Sequence, residues 1–438
     1  MRQSVQGEAR SAADNAAIES EASAAVIQTS GKPTLFEFFS GGGLVRLGLG
    51  DAWYSVGAID NDRNKIASYQ TNFGSDGLLH DDIRNLKPDG IPGILDLAWS
   101  SFPCTNISVA GSRTGLDGEA SGAFWPCWSI IQRLVDEGRA PGVIALENVR
   151  NLLVSGEGRD CAAVLGAMTA AGYAVGVLLV DARLWVPQSR KRVFIIGVRR
   201  DVPIPKGMVL FGPTTPFHTS DLVKMQAGLP ASVRKHWVWW NLPVPEHRER
   251  CLADILDPDA SVQAWHSAEE TADLVATMGP RDLDRVSEAK ASGMRTTGTI
   301  YVRSRVDVTG RRRCANTRFD GLASCLVMPN GAASSQLILV IEGDLVRTRF
   351  MTGREGARLM GIPPEYRLPK GYNATFQLLG DGVVVPVVRH LAEHLLEPLV
   401  AAARSWRPRM EAATPAADTV EAISPNHRAR LRWRSGRA

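Results

Sequence analysis

The chain has 438 residues, of which 44% are hydrophobic, with six cysteines and a formal net charge of +4. That length predicts two domains rather than one, and with no apolar run near the roughly eighteen residues of a membrane span and no apolar N-terminal signal, a cytoplasmic protein is expected. The cysteines form no CxxC pair, which argues against a zinc site and a disulfide framework, and the mild positive charge permits a polyanionic partner without demonstrating one.

Residues 1–30 are rich in Ala, Ser and Glu and are expected to be disordered. Short apolar runs then recur at 34–39, 55–60, 94–100, 143–147, 174–180 and 193–198, separated by helix-like stretches. Continuous rather than alternating apolar character suits strands buried on both faces, so residues 31–200 predict an α/β domain with a doubly wound, largely parallel sheet. Open sheets of this kind bind ligands at the carboxyl ends of their strands, where the distinctive polar residues fall.

The first run ends in Phe39-Ser40-Gly41-Gly42-Gly43, where glycines let backbone amides approach a ligand with a helix N-terminus behind them. The spacing is not GxGxxG, which disfavours a nicotinamide cofactor. Asp60 ends the next run, roughly twenty residues on, the offset at which a carboxylate grips a ribose in such folds. Taken alone, these two features also describe an ordinary strand-to-helix turn. Ser101-Phe102-Pro103-Cys104 is more specific, because a proline fixes the backbone ahead of a thiol in a strand-end loop. A buried structural cysteine is the alternative there, set against two further strand-end constellations, Glu147-Asn148-Val149 and Gln188-Ser189-Arg190-Lys191-Arg192.

From 201 to 375 the chain is rich in Pro, Trp and Arg without a βα rhythm and reads as a second domain. Trp237, Trp239 and Trp240 suit packing, whereas Arg303, Arg305, Arg311, Arg312 and Arg313 are candidates for phosphate contact, with a solvated charged face as the alternative. Residues 376–403 return with a strand-like run at 383–388 and an apolar helix, expected to rejoin the first domain. Residues 404–438 predict a flexible, basic tail.

The order of these motifs resembles the cytosine-5 DNA methyltransferase family across nearly the whole ordered chain. Phe39, Gly41 and Gly43 match the family's FxGxG cofactor loop, Asp60 its ribose acid, Asp82-Ile83 its adenine contact and Pro103-Cys104 its nucleophile motif. Glu147 to Val149 match ENV, Gln188 to Arg192 match QxRxR, and the run from Arg354 to Gly361 matches the motif that supports the recognition domain. The last motif, near the C-terminus, is represented by Gly380-Asp381-Gly382-Val383, and the resemblance implies that Asp381 is a cofactor-binding residue. The resemblance implies a Rossmann-like S-adenosylmethionine-dependent methyltransferase domain with a second, smaller target-recognition domain. It further implies S-adenosylmethionine as cofactor with no metal, and double-stranded DNA as partner. A monomer and a restriction endonuclease acting on the same site are also expected.

The residue types suit this chemistry. Carbon 5 of cytosine is a poor nucleophile, and adding a thiolate at carbon 6 turns the ring into an enamine that can attack a sulfonium methyl, a task that falls to Cys104. Glu147, protonated, can hydrogen-bond to ring nitrogen 3. Arg190 and Arg192 can hold the base carbonyl, the target phosphate or Glu147 itself. The resemblance implies that the base is flipped out of the duplex. The chain departs from the family at Thr105-Asn106, where glutamine commonly follows the cysteine, and at Asp381, where asparagine is usual. The stretch 327–333 is less polar than a DNA-reading loop. Two rival functions share these motifs: methylation of cytosine in RNA, and a catalytically silent DNA-binding subunit. The arginine-containing second domain favours DNA, and the intact Cys104, Glu147, Arg190 and Arg192 set opposes the silent reading.

Overall fold

The computed structural model describes residues 31–103, 123–248, 250–262, 264–307, 310–328 and 336–413. The expected segment 1–30, Cys104 with Thr105 and Asn106, positions 329–333 of the apolar stretch and the chain beyond 413 lie outside them, as do the side chains of Arg305, Arg311 and Arg312.

Strands β1 (Thr34–Phe38), β2 (Tyr54–Asp60), β3 (Leu78–His80), β4 (Leu97–Ser100), β5 (Val143–Val149), β6 (Tyr173–Asp181) and β7 (Lys191–Arg199) form one seven-stranded sheet in the order β3-β2-β1-β4-β5-β7-β6. The first five run parallel, and β7 is antiparallel to both its neighbours. Alternate residues enter opposite cores, as the two-residue strand period requires. Phe36, Phe38, Ile144 and Leu146 join one, while Leu35, Leu97, Trp99, Val143 and Ala145 join the other. Helix α1 (Leu44–Leu49) packs on the second face, α2 (Arg63–Phe73) follows β2, and α3 (Phe124–Asp136) and α4 (Arg159–Ala170) cover the first face.

A second sheet contains β10 (Thr296–Asp307), β11 (Gly310–Arg318), β12 (Gln336–Glu342) and β13 (Leu345–Phe350), following the short pair β8 (Val209–Leu210) and β9 (Trp239–Trp240). Its order is β11-β10-β12-β13, antiparallel throughout. Ile300, Val302, Leu337, Leu339 and Ile341 pack against α5 (Ala268–Ala276) and α6 (Pro280–Ala291), and Ile338 and Val340 on the other face enter the main core.

The expected span 201–375 reaches the main core on both sides of this sheet as well as through it. Trp240, Leu252 and Ile255 before it, and Leu359 and Met360 after it, are buried in the main core. Trp240 is fully buried, with its indole N–H donating to the Ile196 carbonyl at 3.2 Å, and Trp237 packs edge-on against Trp239. These tryptophans bury apolar area between segments.

Helix α7 (Gly353–Leu359) begins at a capping box in which Thr352 and Glu355 satisfy each other's backbone amides. Glu355 also receives both Arg349 terminal nitrogens, at 2.8 and 2.6 Å, and the two side chains are 0–1% exposed. Removing one partner of such a pair strands a buried charge. Glu355→Ala is therefore expected to cost about 3–5 kcal/mol of stability, read as a lower urea midpoint, and an unchanged midpoint would refute it.

Helix α8 (Tyr372–Asp381) leads to α9 (Val385–Leu391), where the sequence predicts a strand over 383–388. The correction has a local cause. Pro386 lies in the first helical turn, where its missing N–H costs nothing, whereas in a strand it would remove a ladder donor. The valines then point Val384, Val387, Val388 and Leu391 into the main core at helical spacing. Helix α10 (Glu397–Ala413) also runs through position 404, the expected start of the tail. Arg407 pairs with the buried Asp96 at 3.0 Å and donates to the Leu95 carbonyl at 2.8 Å, which pins this helix to the segment entering β4.

Candidate active site

A cavity of about 300 Å³ opens at the carboxyl ends of β1, β2, β4 and β5, within the size range of small-molecule sites. Phe39, Ser40, Gly41 and Gly42 form one wall. Phe39 adopts a left-handed conformation, φ 58°, unusual for a side chain with a Cβ, and Gly41 follows at φ 57°. The Gly41 amide donates to Asp60 Oδ2 at 2.9 Å and the Asp62 amide to Oδ1 at 2.9 Å, so Asp60 both lines the cavity and holds the glycine loop. Gly42 lies so close to α8 that a Cβ would approach Leu378 to 2.5 Å and Tyr366 Oη to 2.6 Å.

Gly43 is outside the cavity wall; a Cβ there would strike Phe73 at 2.6 Å, so it serves packing against α2. Asp82 and Ile83 are likewise outside the wall. Asp82 is engaged by Arg84 at 2.9 and 2.8 Å, hydrogen bonds that draw its carboxyl down to about 2, and Ile83 is buried in the core.

The opposite end of the cavity is formed by Ser101, Phe102 and Pro103 with Glu147, Asn148 and Arg192. Asn148 donates to the Phe102 carbonyl at 3.0 Å and fixes the strand-end loop that leads into Cys104. Glu147 is buried, and Arg192 Nε stands 3.2 Å from Oε1. Burial pushes the Glu147 carboxyl above its usual range, against the opposing pull of Arg192 and Arg190. The strand-end position of Arg192 arises differently from that of Glu147. Because β7 runs antiparallel, its first residues reach the edge where β5 ends, and Arg192 pairs with Val149.

Arg190 does not line the cavity. Its guanidinium is 1% exposed and donates to the carbonyls of Leu326 at 2.8 Å and of Gly380 and Gly382 at 2.6 Å each. It joins β7, the segment entering β12 and the turn carrying Asp381, so it acts as a positioning residue. Gln188, fully buried, completes that junction by accepting from the Leu326 amide at 2.9 Å and donating to the Leu359 carbonyl at 2.8 Å.

Three residues at the site were missed in the sequence. Lys65 lines the cavity and pairs with Asp381 at 2.8 Å. Met328 lines it from the second unit. Cys325 Sγ lies 3.3 Å from Arg190 and 3.9 Å from Arg192; burial raises its thiol, but the two guanidiniums outweigh this and hold it below the ordinary cysteine range. None carried a sequence signal, because all three depend on chain segments meeting at the cavity. Cys127 and Cys161, by contrast, are pushed up to about 12 by burial, which makes them inert as nucleophiles near neutral pH. Arg303 and Arg313 are exposed on the β10–β11 hairpin.

A sheet of this order with a glycine loop and an acid on adjacent strand ends defines a Rossmann-like methyltransferase fold. The profile of the C-5 cytosine-specific DNA methylase family matches residues 34–397, and the chain belongs to that family: it is a DNA cytosine-5 methyltransferase. Curated relatives include the type II methyltransferase M.Bsp6I of Bacillus sp. (strain RFL6), 25% identical over 83% of this chain and 98% of the relative. Another is M1.ScrFI of Lactococcus lactis subsp. cremoris, 25% identical over 84% and 79%. Similar folds occur in the Dnmt2 methyltransferase of S. pombe (TM-score 0.51, 17% identity, 84% of this chain and 99% of that one). Spodoptera frugiperda DNMT2 gives a TM-score of 0.53 at 17% identity over the same shares. Among the described residues, no helix is long and apolar enough to cross a membrane.

Proposed function

We propose that this enzyme methylates carbon 5 of a cytosine flipped out of double-stranded DNA, with Cys104 adding to carbon 6 and S-adenosylmethionine as methyl donor. The observation that carries the reading is the pairing, across one cavity, of a ribose-type acid in a glycine cradle with a buried, protonation-prone Glu147 held by Arg192. The cradle suits the cofactor: the Ser40 hydroxyl is buried with no hydrogen-bond partner among the described residues, and a Cβ at Gly41 would meet none of their atoms within 4 Å. Asp60, Phe39 and Gly41 would hold the cofactor, which supplies an electrophilic methyl group when bound.

The base end follows from the chain's own residues. Pro103, which shares a cavity wall with Glu147, directly precedes Cys104 in the chain, and Glu147 gives its proton to ring nitrogen 3 as the thiolate adds to carbon 6. Arg192 orients Glu147 and balances its charge. Once carbon 5 carries the methyl group, loss of its proton to a base expels Cys104. Arg303 and Arg313, with the backbone neighbours Arg305, Arg311 and Arg312 on the same hairpin, supply phosphate contacts that position the duplex, and the second unit selects the target site. Bisulfite sequencing of DNA from cells expressing the protein tests the reading. Protected cytosines in one sequence context are expected, and full conversion of every cytosine by an expressed, folded enzyme would overturn it.

Asp60→Ala should weaken S-adenosylmethionine binding roughly 10- to 100-fold, the worth of a hydrogen bond to a charged group. Calorimetry returning wild-type affinity would remove Asp60 from the site.

A further inference from the structure

Arg190 and Arg192 place two guanidiniums close enough to Glu147 and to each other for their charges to interact. Arg190 is 1% exposed, and the carbonyls it donates to, those of Leu326, Gly380 and Gly382, carry no charge. Burial and the like charge of Arg192 work against its cation, while Cys325, Glu147 and Asp381 support it, in that order. A buried cation is costly unless an anion stands against it. Asp381 is 44% exposed and already matched by Lys65 at 2.8 Å. Glu147 lies 3.2 Å from Arg192, but the mechanism above needs it neutral when the Cys104 thiolate adds.

That leaves Cys325, on the segment entering β12. Its Sγ lies 3.3 Å from Arg190 Nη1 and 3.9 Å from Arg192 Nη1, so one sulfur faces both guanidiniums. As a thiol it donates to the Leu326 carbonyl at 3.4 Å, and that oxygen also accepts from Arg190 at 2.8 Å. Ionising the sulfur therefore gives up one long bond and sets an anion against both arginines. Burial opposes this, and the two guanidiniums outweigh it.

We infer that the Cys325 thiolate is the counter-anion of Arg190 and Arg192, a positioning residue that keeps both cations matched while Glu147 holds its proton. This rests on the reading of Glu147 as the acid that serves ring nitrogen 3. The charged groups acting on Glu147 are Arg192 and Arg190 at the start of β7 and Asp381 from α8, with a hydrogen bond from Ser101 after β4. Asp381 in turn faces Lys65 of α2, and Cys325 acts through the two arginines. Without the thiolate, both cations would draw on Glu147 and favour its carboxylate. The proton that ring nitrogen 3 needs would then be lost at lower pH.

Two substitutions in the full chain test this. Cys325→Ser keeps the size and a hydrogen-bonding hydroxyl but carries no charge near neutral pH, and Cys325→Asp restores an anion. In single-turnover methylation of DNA carrying the target site, the descending alkaline limb of Cys325→Ser should lie about 1 pH unit below that of wild type. Cys325→Asp should stay close to wild type. The ultraviolet absorbance of wild type minus that of Cys325→Ser should show one thiolate at neutral pH, since Cys104 is present in both. Should Cys325→Ser lose its cooperative urea transition, Cys104→Ser decides instead. It should retain the absorbance of one thiolate, because Cys127 and Cys161 are held protonated by burial. An unmoved limb, a limb moved equally by both substitutions at Cys325, or the absence of that thiolate would overturn the inference. A descending limb that persists in Glu147→Gln would instead refute the acid reading and, with it, the role of Cys325, even where the thiolate is present.

Discussion

Cys104→Ser is expected to abolish methyl transfer and covalent capture together. With 5-fluorocytosine at the target position, methyl transfer can proceed but fluorine cannot leave as a proton does, so the wild-type enzyme should remain attached to the DNA through Cys104 in a denaturation-resistant complex. Formation should require S-adenosylmethionine. A serine hydroxyl is almost wholly protonated near neutral pH, where a cysteine already has an appreciable thiolate fraction, so the variant should trap several orders of magnitude more slowly. The other thiols provide a sharp control. Cys127 and Cys161 are buried and held protonated, and Cys325 lies against Arg190 and Arg192. If mass spectrometry places the adduct on Cys325, or trapping survives in Cys104→Ser, the mechanism fails at its central step.

Glu147→Gln should lower the single-turnover rate by roughly 10²- to 10⁴-fold, the usual contribution of a positioned acid, while DNA binding stays near wild type. The pH dependence identifies the group. Burial raises the Glu147 carboxyl, which favours its neutral form. The proton that ring nitrogen 3 needs is therefore present below the raised value and lost as pH rises through it, giving wild type a descending alkaline limb. Ionisation of Cys104 acts in the opposite sense, since the thiolate becomes more abundant as pH rises. Glutamine does not titrate, so the variant should lose the descending limb and keep the ascending one. A variant profile that still falls on the alkaline side at the same pH would assign that limb to another group. Arg192→Met bears on the same point. It removes the cation that opposes the shift, so the descending limb should move to higher pH, toward a more persistently neutral Glu147.

Six strands of the main sheet, the glycine loop, Asp60, Pro103 and Glu147 are legible in the sequence because each is a local fact, whereas the short β3 and the second sheet are not. A run buried on both faces has no room for polar residues, so those that appear mark the strand ends, and the chain order of those ends follows from the right-handed βαβ connection. The helix at Val385–Leu391 is signalled by Pro386, which outweighs the β-propensity of the five valines around it.

What the tertiary structure alone decided lies where distant segments meet. Arg190, just before β7, and Arg192, at its start, are two residues apart and look alike in sequence, yet the two diverge: Arg192 reaches Glu147 at the cavity, and Arg190 spends its donors on Leu326, Gly380 and Gly382. Lys65 and Asp381 are similarly invisible as a pair, separated by most of the chain and joined only because α8 packs beside the start of α2. Asp82 shows the converse, a motif residue whose hydrogen bonds go to Arg84 rather than to the cavity wall. Hydrophobic periodicity specifies which face of an element is buried. Which donor a buried guanidinium finds, and which charge a cavity acquires, depends on the partners that packing brings within about 3 Å, a hydrogen bond's reach.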